Sequence, residues 1–511
     1  THPGSVGPGS EPEMEIVMAE QNAPAVEKEP PDKMTPALLK LAGAIMLGSI
    51  AMQLDGTMVN VAFNTLLSEF GSQLSTIQWV VTGYLLAMAM VTPLTGWAVE
   101  RYGGRTVWMA SISVFLAGSM LCGVAWSAPS LIVFRILQGM GGGMIIPLAQ
   151  VILAQAAGEK MLGRAIAAIG IPAMLGPVLG PVLGGIIVTE LNWRWIFYIN
   201  LPICLAALLV SWRVMPPGIG KGPQAEKLDL IGLALLSPAC IALIYGLTEA
   251  GNHGSFGDGH ALVPLLLGLA LLVAFTLHSL RGSAPLIDVR LFKVRNFTMG
   301  SIVVFIAALP LFGAMALVPL YYQQVRGDTA LHAGLLFAPQ GFGMAIALVA
   351  SGALSDKIGP RPIVLSGLSM AALGGAVFTQ ITGHTSVLLI SAALAVSGAG
   401  LGVSLVPALT AALRGLRQNT IAKATTSVRI FQQLGGSFGI ALIFVVLQQA
   451  IAKQVSGPNG SPSPDSLAVG FSHAFWWMLI FTLAAILPAC LLPSTRPTAG
   501  EPTSDSLVAA G

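Results

Sequence analysis

A chain of 511 residues that is 54% hydrophobic and 9% charged, with mean hydropathy +0.79, lacks the roughly 25% of charged residues that cover a soluble domain. It reads as a polytopic membrane protein, and a formal net charge of +3 is too small to suggest a nucleic-acid partner. Cys122, Cys204, Cys240 and Cys490 all fall inside apolar runs, so neither a disulfide framework nor metal-ligand spacing follows from them.

Residues 1–36 are polar, acidic and proline-rich, without an apolar core that could serve as a signal peptide, and are expected to form a disordered tail. Gly7-Pro8-Gly9-Ser10, ahead of Met14, reads as a cloning remnant, with a native start at Met14 or Met18. Fourteen apolar stretches follow: 39–64, 77–99, 107–126, 130–156, 165–189, 193–215, 228–249, 261–280, 298–325, 330–354, 361–382, 385–411, 424–452 and 468–492. Each is near the roughly 20 residues that a spanning helix needs. The expected organisation is a six-helix bundle over 37–215, a linker with two inserted helices over 216–296, a second six-helix bundle over 297–492, and a tail over 493–511.

Orientation follows from the basic residues, which concentrate on the cytoplasmic side of membrane proteins. With the N-terminus inside, only Arg194, Arg326 and Lys453 of the 25 Lys and Arg fall in outer connections, and Arg135 and Arg429 lie within stretches. The rest are cytoplasmic, which puts both termini inside. Two cytoplasmic connections also repeat. Gly96 to Arg105 (GWAVERYGGR) follows the second stretch and Gly352 to Arg361 (GALSDKIGPR) the tenth. Each offers an acid (Glu100, Asp356), a base (Arg101, Lys357), a glycine for a left-handed turn (Gly103, Gly359) and an arginine (Arg105, Arg361). Matching copies point to two related halves, the arrangement of secondary transporters that bind substrate where the halves meet.

Charges within the membrane are costly and mark function. Asp55 lies about 15 residues beyond Lys40, roughly 22 Å into a core of roughly 30 Å. Arg135 enters from the opposite side and reaches a similar depth, so the two are expected to pair, with Gln138 and Gly139 one turn on. A purely structural ion pair is the alternative; a carboxylate able to exchange a proton is what proton-coupled transport requires. Arg429 is a second buried cation without an evident acidic partner, expected either to anchor the cytoplasmic gate near Glu100 or Asp356 or to contact substrate. Asn60, Tyr84, Gln150, Gln340 and Gln432 are candidate cavity liners.

Gly170 to Gly185 (GIPAMLGPVLGPVLGG) sets Gly176, Gly180 and Gly184 on one helical face, where another helix can approach closely. Pro172, Pro177 and Pro181 remove backbone donors and bend the helix. The expected partner of this face is the start of the second bundle, around the ninth stretch.

Over nearly everything from the first apolar stretch to the fourteenth, the chain resembles the fourteen-helix drug:proton antiporters of the major facilitator superfamily, the EmrB/QacA type. Residues 54–62 (LDGTMVNVA) are similar to its helix-one motif, 96–105 to its loop motif, and 131–139 (LIVFRILQG) to its helix-four motif, whose arginine is thought to assist proton transfer. Residues 170–185 are similar to the helix-five motif that marks exporters, and 193–202 (WRWIFYINLP) and 291–297 (LFKVRNF) match further signatures. Departures are Glu100 where aspartate is usual, Gly104 where a base is common, and Phe63-Asn64 without the closing proline. The resemblance implies a proton-driven exporter of hydrophobic or amphipathic compounds in the bacterial cytoplasmic (inner) membrane. It would need no cofactor beyond the proton gradient, and a periplasmic adaptor would be a partner only in a Gram-negative cell. No GxxxxGK[ST] pattern occurs, which argues against ATP as the energy source. An exporter of a specific lipid, siderophore or self-made antibiotic is the serious rival; an integral-membrane enzyme is remote, because the histidines are scattered.

Overall fold

Lipid offers no hydrogen bonds, so a chain of this composition must satisfy each backbone group within its own segment, as helix. The computed structural model describes residues 1–2, 36–219, 229–253, 257–282, 285, 287–416, 418–455 and 464–493, without the side chains of 157–175, 177, 178 and a few others. Both expected tails lie outside the described residues, apart from their edges. Every regular element among the described residues is helical.

The principal helices are α1 (Pro36–Met58), α2 (Trp79–Val91), α3 (Gly104–Gly123), α4 (Ala128–Glu190), α5 (Asn200–Val214), α6 (Leu230–His253) and α7 (Gly259–Arg281). They continue with α8 (Arg295–Gln324), α9 (Ala330–Ile358), α10 (Pro360–Phe378), α11 (Val387–Leu413), α12 (Gln418–Val455) and α13 (Pro464–Ala489). Thirteen segments among the described residues are long and apolar enough to cross a membrane, and Leu179–Glu190 at the end of α4 is a shorter apolar piece. α1 runs on through a 3-10 turn, Val59–Ala62, into a helix at Phe63–Phe70 that Gly71 ends at φ +55°.

α4 spans what the sequence reads as two crossings, and it doubles back. Gly142 lies beside Met52 and Gly176 beside Gln53, neighbours on α1, whereas a straight helix would hold those glycines roughly 50 Å apart. Ser127 starts α4, its hydroxyl accepting from the Ser130 amide in a capping box. The two limbs pack among α1, α2 and α3, and α5 closes the group against α1 and α3. α8 to α13 form a second group, and the groups meet where α4 touches α9 and α2 touches α12. α6 and α7 pack together outside this pair of groups. Gln78 Nε2 donates to Thr248 Oγ1 at 3.0 Å, holding α6 near the start of α2.

The paired loop glycines have nearly the same backbone. Gly103 sits at φ 85°, ψ 145° and Gly359 at φ 88°, ψ 160°, an extended left-handed conformation essentially confined to glycine. This differs from the compact left-handed turn expected at a helix end. At Gly103 the backbone amide still caps the preceding helix by donating to the Val99 carbonyl at 2.8 Å, and the chain turns a corner into the next helix.

The α4 glycine face packs differently from the sequence expectation. A Cβ on Gly176 would meet Gln53 at 3.0 Å, and one on Gly184 would meet the Met58 carbonyl at 2.8 Å. A Cβ on Gly180 would collide with Thr57, whose hydroxyl donates to the Gly176 carbonyl at 3.0 Å. The partner is therefore α1 of the same group, not α8. The neighbouring face makes the contact between groups: Pro181 abuts Gly334, and Gly185 abuts Ala330 and Leu331, all on α9. A helix wedged between two neighbours uses adjacent faces for each, and the spacing of small residues does not label which is which.

Candidate proton site and central cavity

Asp55 and Arg135 come from different helices, and only close approach brings them together. Gly139 and Gly143 let α4 lie against α2, where Cβ atoms would come 2.6 Å from the Tyr84 and Met88 carbonyls. Arg135 Nη1 then donates to Asp55 Oδ2 at 2.6 Å, and neither side chain has exposed surface. Gln138 Nε2 and Asn200 Nδ2 each donate to Asp55 Oδ1 at 2.9 Å. Arg135 also donates to Gln138 Oε1 at 2.7 Å and to the Val80 carbonyl at 3.2 Å, and its guanidinium lies 3.9 Å above the Tyr84 ring. Its Nη2 has no hydrogen-bond partner. Desolvating two charges is expensive, and the bonds around the carboxylate offset it only because nearly every lone pair is used.

Beside this cluster, between the two groups of helices, lies a cavity of about 500 Å³, within the roughly 300–1,000 Å³ of ligand sites. Tyr84, Gln150, Gln340 and Gln432 line it, as the sequence leads one to expect, and so does Arg429. Tyr84 is the shared wall, with one ring face on Arg135 and the side chain also bordering the cavity. Asn60 is not a liner; it is buried in the 3-10 turn, its amide donating to the Gly56 carbonyl at 3.5 Å. Gln53 and Gln433, which the sequence reading passed over, are liners. Asn200 was quoted only within a signature, yet it holds the carboxylate; a lone amide in the apolar run of α5 was the available signal.

The loop residues are less concentrated. Glu100 is half-buried and Arg101 exposed at the end of the short helix Leu94–Tyr102. Arg105 Nη2 donates to the Trp212 carbonyl at 2.6 Å, tying α3 to the end of α5. Arg361 is half-buried in the first turn of α10. The side chains of Asp356 and Pro177 lie outside the described residues. No contact of Arg429 with Glu100 is present among the described residues, so the cavity wall, not an ion pair with that acid, is where Arg429 stands.

At one end the groups are bolted together. Gln323 Nε2 donates to the Val61 carbonyl at 2.9 Å, the Leu331 amide to Thr189 Oγ1 at 3.0 Å, and the Phe63 and Phe444 rings lie 5.3 Å apart. The cavity extends the other way, towards Leu409 near the end of α11 and Val428 near the start of α12.

The Major Facilitator Superfamily model matches residues 45–440, a span holding the buried pair, both loop repeats and the cavity. The chain belongs to this superfamily. It is 37% identical over 498 residues to "Multidrug resistance protein B homolog" of Mycobacterium tuberculosis (strain ATCC 25618 / H37Rv), covering 91% of this chain and 92% of the relative. It is 31% identical to "Multidrug export protein EmrB" of Haemophilus influenzae, covering 80% of each. Among solved structures, a bacterial homologue of the human lysosomal transporter Spinster, inward-facing and unoccupied, shares the fold at TM-score 0.66 and 15% identity, over 92% of this chain and all of that one. As a superfamily member this chain is a multi-pass transporter of small molecules in the bacterial inner membrane.

Proposed function

We propose that this superfamily member exports hydrophobic or amphipathic drugs and toxic compounds in exchange for protons, by alternating access. The observation that carries the reading is the wall shared through Tyr84: its ring lies under Arg135, the partner of the buried Asp55 carboxylate, and its side chain also lines a largely apolar cavity between the two helix groups. The printed names of the relatives, multidrug resistance and multidrug export proteins, support drugs as cargo. The closed end near Val61 and Thr189 would be the outer one if the N-terminus is cytoplasmic, so this conformation would face inward. Fourteen crossings fit if each limb of α4 counts as one. The proton gradient would be the energy source, the chain would catalyse no reaction, and an adaptor would be needed only where an outer membrane must also be crossed. An apolar wall favours a broad range of cargo over a single lipid, siderophore or self-made antibiotic.

In the cycle, a proton reaching Asp55 neutralises the carboxylate and releases the hold of Arg135, Gln138 and Asn200 on it. Arg135 then turns further onto Tyr84, and the cavity wall moves with it. The test is Asp55→Asn in reconstituted vesicles with an imposed proton gradient. Concentrative efflux should disappear while the protein still folds and binds cargo; full active efflux by this variant would remove Asp55 from the mechanism.

A further inference from the structure

Among the described residues, Arg429 is the only formally charged side chain in the wall of the cavity; the other polar liners are amides, hydroxyls and a phenol. Its Nε is buried without a hydrogen-bond partner, and no carboxylate pairs with the guanidinium among the described residues. The exposed part of the side chain faces the cavity it lines. Asp55 is already paired with Arg135, so among the described residues the wall carries one formal charge, that of Arg429. An unpaired cation at this depth is costly and marks a ligand or ion pathway. Two acceptors in the same wall, Gln340 Oε1 and Gln433 Oε1, are likewise buried and unpartnered. The same wall also holds Leu311, Phe312, Met315 and Phe337.

We propose that the cavity binds amphipathic organic anions, whose acid group pairs with Arg429 and whose apolar body lies against Phe312, Met315 and Phe337. A planar guanidinium suits a carboxylate or sulfonate, which it can hold through two parallel hydrogen bonds. The same charge disfavours organic cations, since no acid among the described lining residues compensates a second positive group. The proposal deepens the exporter reading and rests on it for the direction of transport, not for binding.

The test uses the purified full chain and probes with one naphthyl body: 4-(2-naphthyl)butanoate, its primary amide, and 4-(2-naphthyl)butylammonium. Titration calorimetry should show the carboxylate binding about ten- to hundredfold tighter than the amide, and the ammonium weakest. Arg429→Gln should bring carboxylate and amide together, Arg429→Lys should keep most of the preference, and Arg429→Glu should reverse it towards the ammonium. Equal binding of all probes by the parent protein, within about twofold, overturns the proposal; so does a carboxylate preference that survives in Arg429→Gln. If the variants do not fold, the order of affinities in the parent protein decides. Gradient-driven export of the amide is measured beside it in sealed vesicles. Export without a carboxylate preference leaves the exporter reading standing and removes the anion site. A carboxylate preference with no driven movement of any probe does the reverse.

Discussion

The Asp55 carboxylate takes hydrogen bonds from three side chains on two other helices, α4 and α5. Removing one partner of a buried pair leaves the other charge uncompensated, at about 3–5 kcal/mol. Arg135→Ala should therefore lower stability and change the pH profile of transport. Arg135→Lys should restore the profile only in part, since an ammonium cannot reach Asp55, Gln138 and the Val80 carbonyl in one plane. A pH–rate curve for both variants checks this, and an unmoved curve would show the pair to be structural. Asn200→Leu removes one donor to a buried carboxylate and should cost about 1–3 kcal/mol of stability. The melting temperature reads this out.

On the scale of helices, close approach is the governing device. Gly176, Gly180 and Gly184 bring α4 onto α1, while Pro181 and Gly185 bring it onto α9. A helix that touches both neighbours this tightly would be where one group bears on the other if the groups rock. Gly180→Leu puts its side chain where the Thr57 hydroxyl stands, so α1 must yield, at about 1–3 kcal/mol for such overpacking. Because α1 also carries Asp55, the expected phenotype is lost efflux or proton leak with retained binding. Gly334→Leu pushes the groups apart instead, and should block closure of that end while leaving the Asp55 cluster intact. Proton leak and substrate binding in vesicles separate the two; identical behaviour would mean α4 bears equally on both neighbours.

For the molecule as a whole, the closed end predicts a lock. Thr189 and Leu331 are joined across the groups by a 3.0 Å hydrogen bond. Cysteines at both positions, in a protein whose own Cys122, Cys204 and Cys240 are buried, should therefore cross-link readily. The cross-linked protein should bind cargo from the cavity side and transport nothing, and a reducing agent should restore activity. Transport by the cross-linked form would mean that this end need not open.

What could be read from residues alone was whatever depends on local chemistry: apolar length marks a helical membrane chain, and paired loop motifs point to two related groups of helices. Asp55 and Arg135 were legible as a pair because each is costly in lipid and their depths match by counting. Tertiary structure alone decided that Asn200 completes the cluster, that Asn60 stays out of the cavity, and that the α4 glycines face α1. It also decided that Arg429 lines the cavity, with no acid paired to it among the described residues. Sequence spacing gives the face of a helix a residue occupies, but the identity of what lies across that face depends on how distant segments pack, and that is set by the fit of whole surfaces.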